Sequence, residues 1–179
     1  MNPSLTTLAT QWSFPSAPAW ERVAADLVRQ GRYRVFPRRD KKGPYLLRMW
    51  LTPPVKKGKG LDAQNSIVMH YFFCGDDDKA LHNHPWWFKT RVLSGWYVEH
   101  LPPLSWKPGS KLGPVWDQCK IKRAAGAVIV RELGDLHCVG EVAPGTFTLV
   151  ETGPEKDVWG FHPPGKRFIE SKKFLAKTK

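Results

Sequence analysis

The chain has 179 residues, 41% of them apolar, with 9 tryptophans and a formal net charge of +12. That length suits one domain or one domain with an appendage, and that apolar content excludes disorder throughout. No run approaches the roughly 18 apolar residues of a membrane span, and the N-terminus lacks the basic-then-apolar pattern of a signal peptide, so a soluble, cytoplasmic protein without membrane contact is expected.

The charge is unevenly spread. Residues 1–60 hold twelve Lys/Arg against three Asp/Glu (+9), residues 61–150 hold nine of each, and residues 151–179 hold seven against four (+3). A neutral centre with basic edges fits contact with a polyanion, and it also serves solubility. The three cysteines, Cys74, Cys119 and Cys138, are odd in number and lack C-x-x-C spacing. That argues against a disulfide framework or a zinc knuckle and suits a reducing compartment.

In chain order, residues 1–15 read as a loose, polar arm carrying Pro3 and Pro15. Ser16 and Pro18 then stand at a helix start. Trp20, Val23, Ala24, Leu27 and Val28 recur on one helical face, with Gly31 as the stop. From Arg32 to Lys59 the chain is basic, interrupted by an apolar strand-like run from Tyr45 to Leu51, and Lys-Lys-Gly at 41–43 and 56–58 suggests exposed hairpin ends. Arg38, Arg39, Lys41, Lys42, Lys56 and Lys57, with Arg29, Arg32 and Arg34, form a candidate phosphate-facing patch for nucleic acid, the alternative being solvated loops.

Beyond residue 60 short β-type runs separated by Gly, Pro or Asp follow: 66–73, 88–94, 96–101, 118–123, 127–131 and 146–151. That rhythm predicts an all-β antiparallel sandwich or barrel. The division expected is an N-terminal arm, helix and basic strand (1–60) packed on a barrel (61–170), with a frayed Lys-rich tail (171–179).

Within this pattern stands Leu81-His82-Asn83-His84-Pro85-Trp86, and fifty-three residues after His84 comes His137 in Gly134-Asp135-Leu136-His137. In an extended segment, side chains two apart share a face, so His82 and His84 can aim inward while Asn83 faces away. A third nitrogen must come from another strand, and His137 is placed to supply it.

The wider spacing places Gly75 before His82, Gly95 after Phe88–Ser94, and Gly126 and Gly134 before His137. It resembles the two motifs of the cupin superfamily (RmlC-like jelly-roll proteins) over about residues 64–152. The strings LHNHPWWFKTRVLSGWYVEH and FTLVETGPEKDVWGFHPP look like those of small cupin proteins of phages and bacteria, a resemblance that carries no particular activity with it. It implies a double-stranded β-helix with an N-terminal α-helix, a bacterial or phage-infected host cell, and a homodimer formed through the sheets. The implied metal ligands are His82, His84 and His137. Three departures stand out: Phe88, or Lys89 at the longer spacing, replaces the glutamate ligand of the first motif, Glu132 replaces the second-motif proline, and Glu141 replaces its asparagine.

Loss of that glutamate leaves three outcomes. These are a three-histidine centre, resembling the cupin thiol dioxygenases; a carboxylate ligand restored by Glu99 reaching back; or a barrel that has lost its metal. The resemblance favours Fe(II), while imidazole equally suits Zn, Mn or Ni.

His70, alternating with Val68 and Phe72, is a candidate cavity residue or proton donor, or else a satisfied core histidine. Tyr97 and Glu99 share one face and suit a polar catalytic wall. Arg131 is either an anion clamp or an outward strand residue. His100 and His162 read as surface residues, Asp76, Asp77 and Asp78 as a solvated turn, and Trp86, Trp87 and Phe88 as fillers of the core or barrel mouth.

The leading functional expectation is an iron-dependent oxygenase acting on a small molecule or nucleotide. One rival is a non-catalytic nucleic-acid-binding or phage accessory protein on the same scaffold. Another is a sugar-nucleotide isomerase or epimerase using His70 or His84 as base and Tyr97 as acid.

Overall fold

The computed structural model describes residues 4–14, 16–38, 42–52, 66–76, 80–107, 110–114 and 119–176. Its elements are α1 (Leu5–Trp12), α2 (Ala19–Arg29), β1 (Tyr33–Pro37), β2 (Pro44–Trp50), β3 (Ser66–Phe72), β4 (Leu81–His82), β5 (Phe88–Ser94), β6 (Trp96–Leu101), β7 (Cys119–Ala124), β8 (Val128–Arg131), β9 (Cys138–Val142), β10 (Thr146–Thr152), β11 (Gly160–His162), β12 (Ile169–Glu170) and α3 (Ser171–Ala176).

One sheet runs β1-β2-β3-β10-β5-β8, entirely antiparallel. The other is assembled from β7-β6-β9 and β12-β11-β4, joined where His82 at the end of β4 pairs with His137 just before β9. Its order is therefore β12-β11-β4-β9-β6-β7. From β3 to β10 the chain alternates between sheets except at the β6-β7 hairpin, which is the wrap of a jelly roll. The fold is a double-stranded β-helix with N-terminal helices.

Side-chain parity divides each strand between two cores. Leu47, Met49, Met69, Tyr71 and Phe147 point out of the first sheet and meet Leu8, Trp12, Ala24, Ala25 and Leu27 of the helices. Leu46, Phe72, Val92, Tyr97, Ile129 and Val139 fill one part of the barrel interior, and Val68, Phe88 and Val150 another.

The arm expected to be loose contains α1. Ser4 caps it by accepting a hydrogen bond from the Thr7 amide (3.1 Å), and Leu8 and Trp12 are 2% and 3% exposed. Leu5, Leu8, Ala9 and Trp12 do follow helical spacing, and burial of that stripe against Tyr71 and Phe147 holds the segment. The tail expected to fray carries α3, whose Phe174 stacks on Phe161 with ring centroids 4.2 Å apart.

At Gly95, between β5 and β6, φ is +69°, and a Cβ would lie 2.4 Å from Thr146 Oγ1 and 2.9 Å from its Cα. Only glycine fits this turn. It sets the parity that turns Tyr97 and Glu99 inward. No helix among the described residues is long and apolar enough to cross a membrane.

Candidate metal centre

β4 is only two residues long, so His82 ends a strand while His84 follows in extended chain before Pro85. Asn83 between them is buried and tied at both ends of its amide. Its Nδ2 donates to Val158 O (3.0 Å) and its Oδ1 accepts from the Gly160 amide (2.8 Å). This clamp on β11 faces Asn83 away from its neighbours and leaves both imidazoles on the interior side. His137 arrives from the adjacent chain segment, exchanging backbone hydrogen bonds with His82 at 2.9 and 3.0 Å.

The three side chains converge. A potential ligand atom from each of His82, His84 and His137 lies within 4.8 Å of the others, and the Nε2 atoms of His84 and His137 are 2.9 Å apart. Two nitrogens bonded to one ion at about 2.0–2.1 Å are separated by about that distance when the bonds meet near a right angle.

His84 is held in the neutral form that ligation needs. Burial pushes the pKa of His84 well below the ordinary histidine value, and the neighbouring His82, His137, Arg48 and His70 push the same way.

Glu99 is not a fourth ligand pointing at the triad. Its side chain is 1% exposed, and Oε1 accepts from His137 Nδ1 (3.1 Å) and Arg131 Nε (3.0 Å), while Oε2 accepts from Arg131 Nη2 (2.7 Å) and Arg123 Nε (2.9 Å). Burial raises the pKa of this carboxyl, but hydrogen bonds and charges from His137 and Arg131 outweigh it and hold it at about 2. The carboxylate therefore takes the Nδ1 proton of His137 as a hydrogen bond and leaves the Nε2 lone pair facing His84. Arg131, expected either to clamp an anion or to face outward, instead points inward and grips Glu99 with its planar fork.

Among the described residues no fourth side chain joins the three imidazoles as a ligand, and aromatic rings pack beside them. The Phe88 ring lies 4.8 Å from the His84 ring and 5.3 Å from that of His137, and Trp86 lies 6.3 Å from His84.

Tyr97 packs in the barrel core, its ring 6.3 Å from Phe72; burial, then the charge of Glu99, raises its pKa. It is a core residue, outside the imidazole cluster. His70 faces inward from β3 and its Nε2 accepts a hydrogen bond from Arg48 Nε (3.0 Å), so the ring is neutral with its proton on Nδ1. Burial, then the charge of Arg48, pushes its pKa well below the usual value. Arg48 and Thr148, which bracket His70 on this face, were not singled out from sequence, although an arginine at an inward position of an apolar strand is a signal.

Other expectations change. His162 is half-buried, its ring 6.2 Å from Trp106 and 5.0 Å from Phe168, and the His100 ring occupies the space beside Gly140, where a Cβ would lie 2.3 Å from its Nε2. Neither is a free surface histidine. Asp76 accepts hydrogen bonds from the Tyr45 hydroxyl and the Val139 amide, so it ties β2 to β9 and is not merely solvated; Asp77 and Asp78 lie outside the described residues. Of the basic patch, Arg38 is half-buried and Lys42 exposed, whereas Arg39, Lys41, Lys56 and Lys57 lie outside the described residues. Arg29 is paired with Asp26.

No protein-family model and no curated protein matches this sequence. Among solved structures, a protein with a double-stranded β-helix domain from Klebsiella pneumoniae is 15% identical, covering 66% of this chain and 84% of its own, with a TM-score of 0.43. An RmlC-like cupin protein from Desulfovibrio desulfuricans is 17% identical (62% and 83% covered, TM-score 0.35). Fe(II) HppE is 15% identical (TM-score 0.44), and the match spans 69% of this chain and 57% of that one. The neighbours are cupin and RmlC-like double-stranded β-helix proteins. This chain's own strand order carries the fold assignment independently of them.

Proposed function

We propose that the protein binds one divalent transition metal through His82, His84 and His137 and is a mononuclear non-haem iron oxygenase. The observation that supports the reading is the meeting of three buried or half-buried imidazoles, one of them aligned by an ionised carboxylate at its outer nitrogen. Such carboxylate-histidine pairing fixes the tautomer and raises the basicity of a metal-binding imidazole.

A metal on three neutral nitrogens keeps coordination positions for exogenous ligands and, as iron, supplies redox chemistry toward dioxygen. The chain's own residues supply the rest. His82, His84 and His137 hold the ion; Glu99 holds His137; Arg123 and Arg131 hold Glu99 ionised. Phe88 and Trp86 keep water from one side of the imidazoles.

Metal analysis of protein purified without air tests the reading. About one equivalent of a transition metal is expected, lost on changing any of the three histidines to alanine. Substoichiometric metal in the wild type after anaerobic reconstitution with Fe(II) would overturn it. Oxygen consumption on addition of candidate substrates then tests the oxygenase assignment separately.

A further inference from the structure

Strand register places Arg48, His70 and Thr148 side by side on the inner face of β2, β3 and β10. The rows on either side contain apolar neighbours: Trp50, Val68 and Val150 on one, Leu46 and Phe72 on the other. A polar row between them is costly unless its members are satisfied. Two are not satisfied within the described residues.

The Thr148 side chain is 1% exposed, and its hydroxyl has no hydrogen-bond partner. Arg48 donates through Nε to His70, and its guanidinium lies 5.1 Å from the centre of the Phe36 ring, yet no carboxylate among the described residues is within ion-pair distance. The contrast with Arg123 and Arg131 is direct, since those two share Glu99. A guanidinium cannot shed its charge, so Arg48 is a desolvated cation with no anion among the described residues. The next inward row leads to the candidate metal centre, since Val68 and Val150 pack with Phe88, whose ring lies 4.8 Å from that of His84 and 5.3 Å from that of His137.

We propose that Arg48, with the Thr148 hydroxyl as second donor, binds an oxyanion of the substrate, a carboxylate or a phosphoryl group, while the rest of that molecule extends toward the three imidazoles. The planar fork of arginine matches both anions, and among the described residues only its Nε has a hydrogen-bond acceptor, on His70. His70 is then a positioning residue: its neutral Nε2 holds the guanidinium by Nε and leaves the two Nη groups to face the ligand. The substrate class is a small organic acid or phosphate ester. This refines the metal-centre reading and rests on it for the placement of the reacting end, but the anion site itself does not require the metal.

The test titrates wild-type protein, Arg48→Met and Arg48→Lys with malonate and with inorganic phosphate, each in the metal-free and the Co(II)-loaded form, following tryptophan fluorescence. Co(II) loading is read independently from its visible absorption. Saturable binding of at least one probe to wild type is expected, weakened about tenfold or more in Arg48→Met and less in Arg48→Lys. Which probe binds separates carboxylate from phosphoryl recognition.

Removal of an uncompensated buried charge should leave the melting temperature of Arg48→Met unchanged or higher. Equal affinity in wild type and Arg48→Met, or no saturable binding of either probe to wild type, overturns the proposal even if Co(II) binds normally. Failure of Co(II) to bind while Arg48-dependent anion binding persists overturns the metal reading and leaves the anion site standing.

Discussion

Glu99 Oε1, on β6, and His137 Nδ1, one residue before the neighbouring β9, lie 3.1 Å apart, and both side chains are shut away from solvent. This contact makes Glu99 a residue that aims a ligand, not a ligand itself. The carboxylate is already saturated by two arginines, so it cannot swing toward the imidazole cluster without stranding Arg123 and Arg131.

Replacing Glu99 with glutamine should therefore weaken metal binding without removing a ligand. A loss of about 10- to 100-fold in affinity is expected, measured by competition with a chromophoric chelator. The same change leaves two arginines facing a neutral amide and should cost about 3–5 kcal/mol in denaturant unfolding. Wild-type metal affinity in a folded Glu99→Gln variant would remove the carboxylate from the account.

Phe88 stands where the cupin motif carries glutamate, its ring against those of His84 and His137. Phe88→Glu should restore a four-ligand set. The metal-free variant should be less stable, because an ionised carboxylate then sits among Val68, Val150 and Trp86. Metal should recover that stability by mass action, so a larger rise in melting temperature on adding Co(II) than in wild type is expected. A smaller rise than in wild type would show that position 88 does not face the ion.

Much of this was legible in the sequence where a long-range demand imposes a local pattern. His82 and His84 must alternate about Asn83 to share a face, and Gly95 must take a left-handed turn, so both leave a mark in the chain. β4, β11 and β12 span two or three residues, too few for any period to show, and β9 carries Gly140 at its centre. Parity could turn Glu99 inward but could not choose between a metal and the back of an imidazole, which differ by a few ångströms of packing. Arg48 carries a signal of its own, a cation inside an apolar strand, but its neighbours on the sheet do not show in the chain. Register sets His70 opposite Arg48, 22 positions on, and Thr148 opposite His70, a further 78 positions on.

The helix α1 supplies a prediction that separates packing from chemistry. Trp12 meets Tyr71 and Phe147 edge-on at 5.3 and 4.9 Å, on the outer face of the sheet whose inner face carries His70 and Thr148. Trp12→Ala should cost about 3–5 kcal/mol in urea unfolding while leaving metal stoichiometry intact. A loss below about 1 kcal/mol would mean that the helix adds little to the outer core.

Acid should destabilise the metal-free protein through histidines that fold in the neutral state. Burial, then Arg48, lowers the pKa of His70, and burial, then His82, His137, Arg48 and His70, lowers that of His84. Above the unfolded value of about 6.5 neither state binds a proton, and stability is flat with respect to these groups. Below it the unfolded chain takes up protons that the folded chain refuses, so stability falls as pH drops from 6.5 toward the depressed folded values. Each such group contributes at most about 1.4 kcal/mol per pH unit in that window. Asparagine at position 70 keeps an acceptor for Arg48 Nε but cannot titrate. Urea midpoints of chelator-treated wild type should fall between about pH 7 and pH 5.5, and His70→Asn should show a shallower fall over the same range. Parallel pH profiles for the two proteins would assign the acid sensitivity elsewhere.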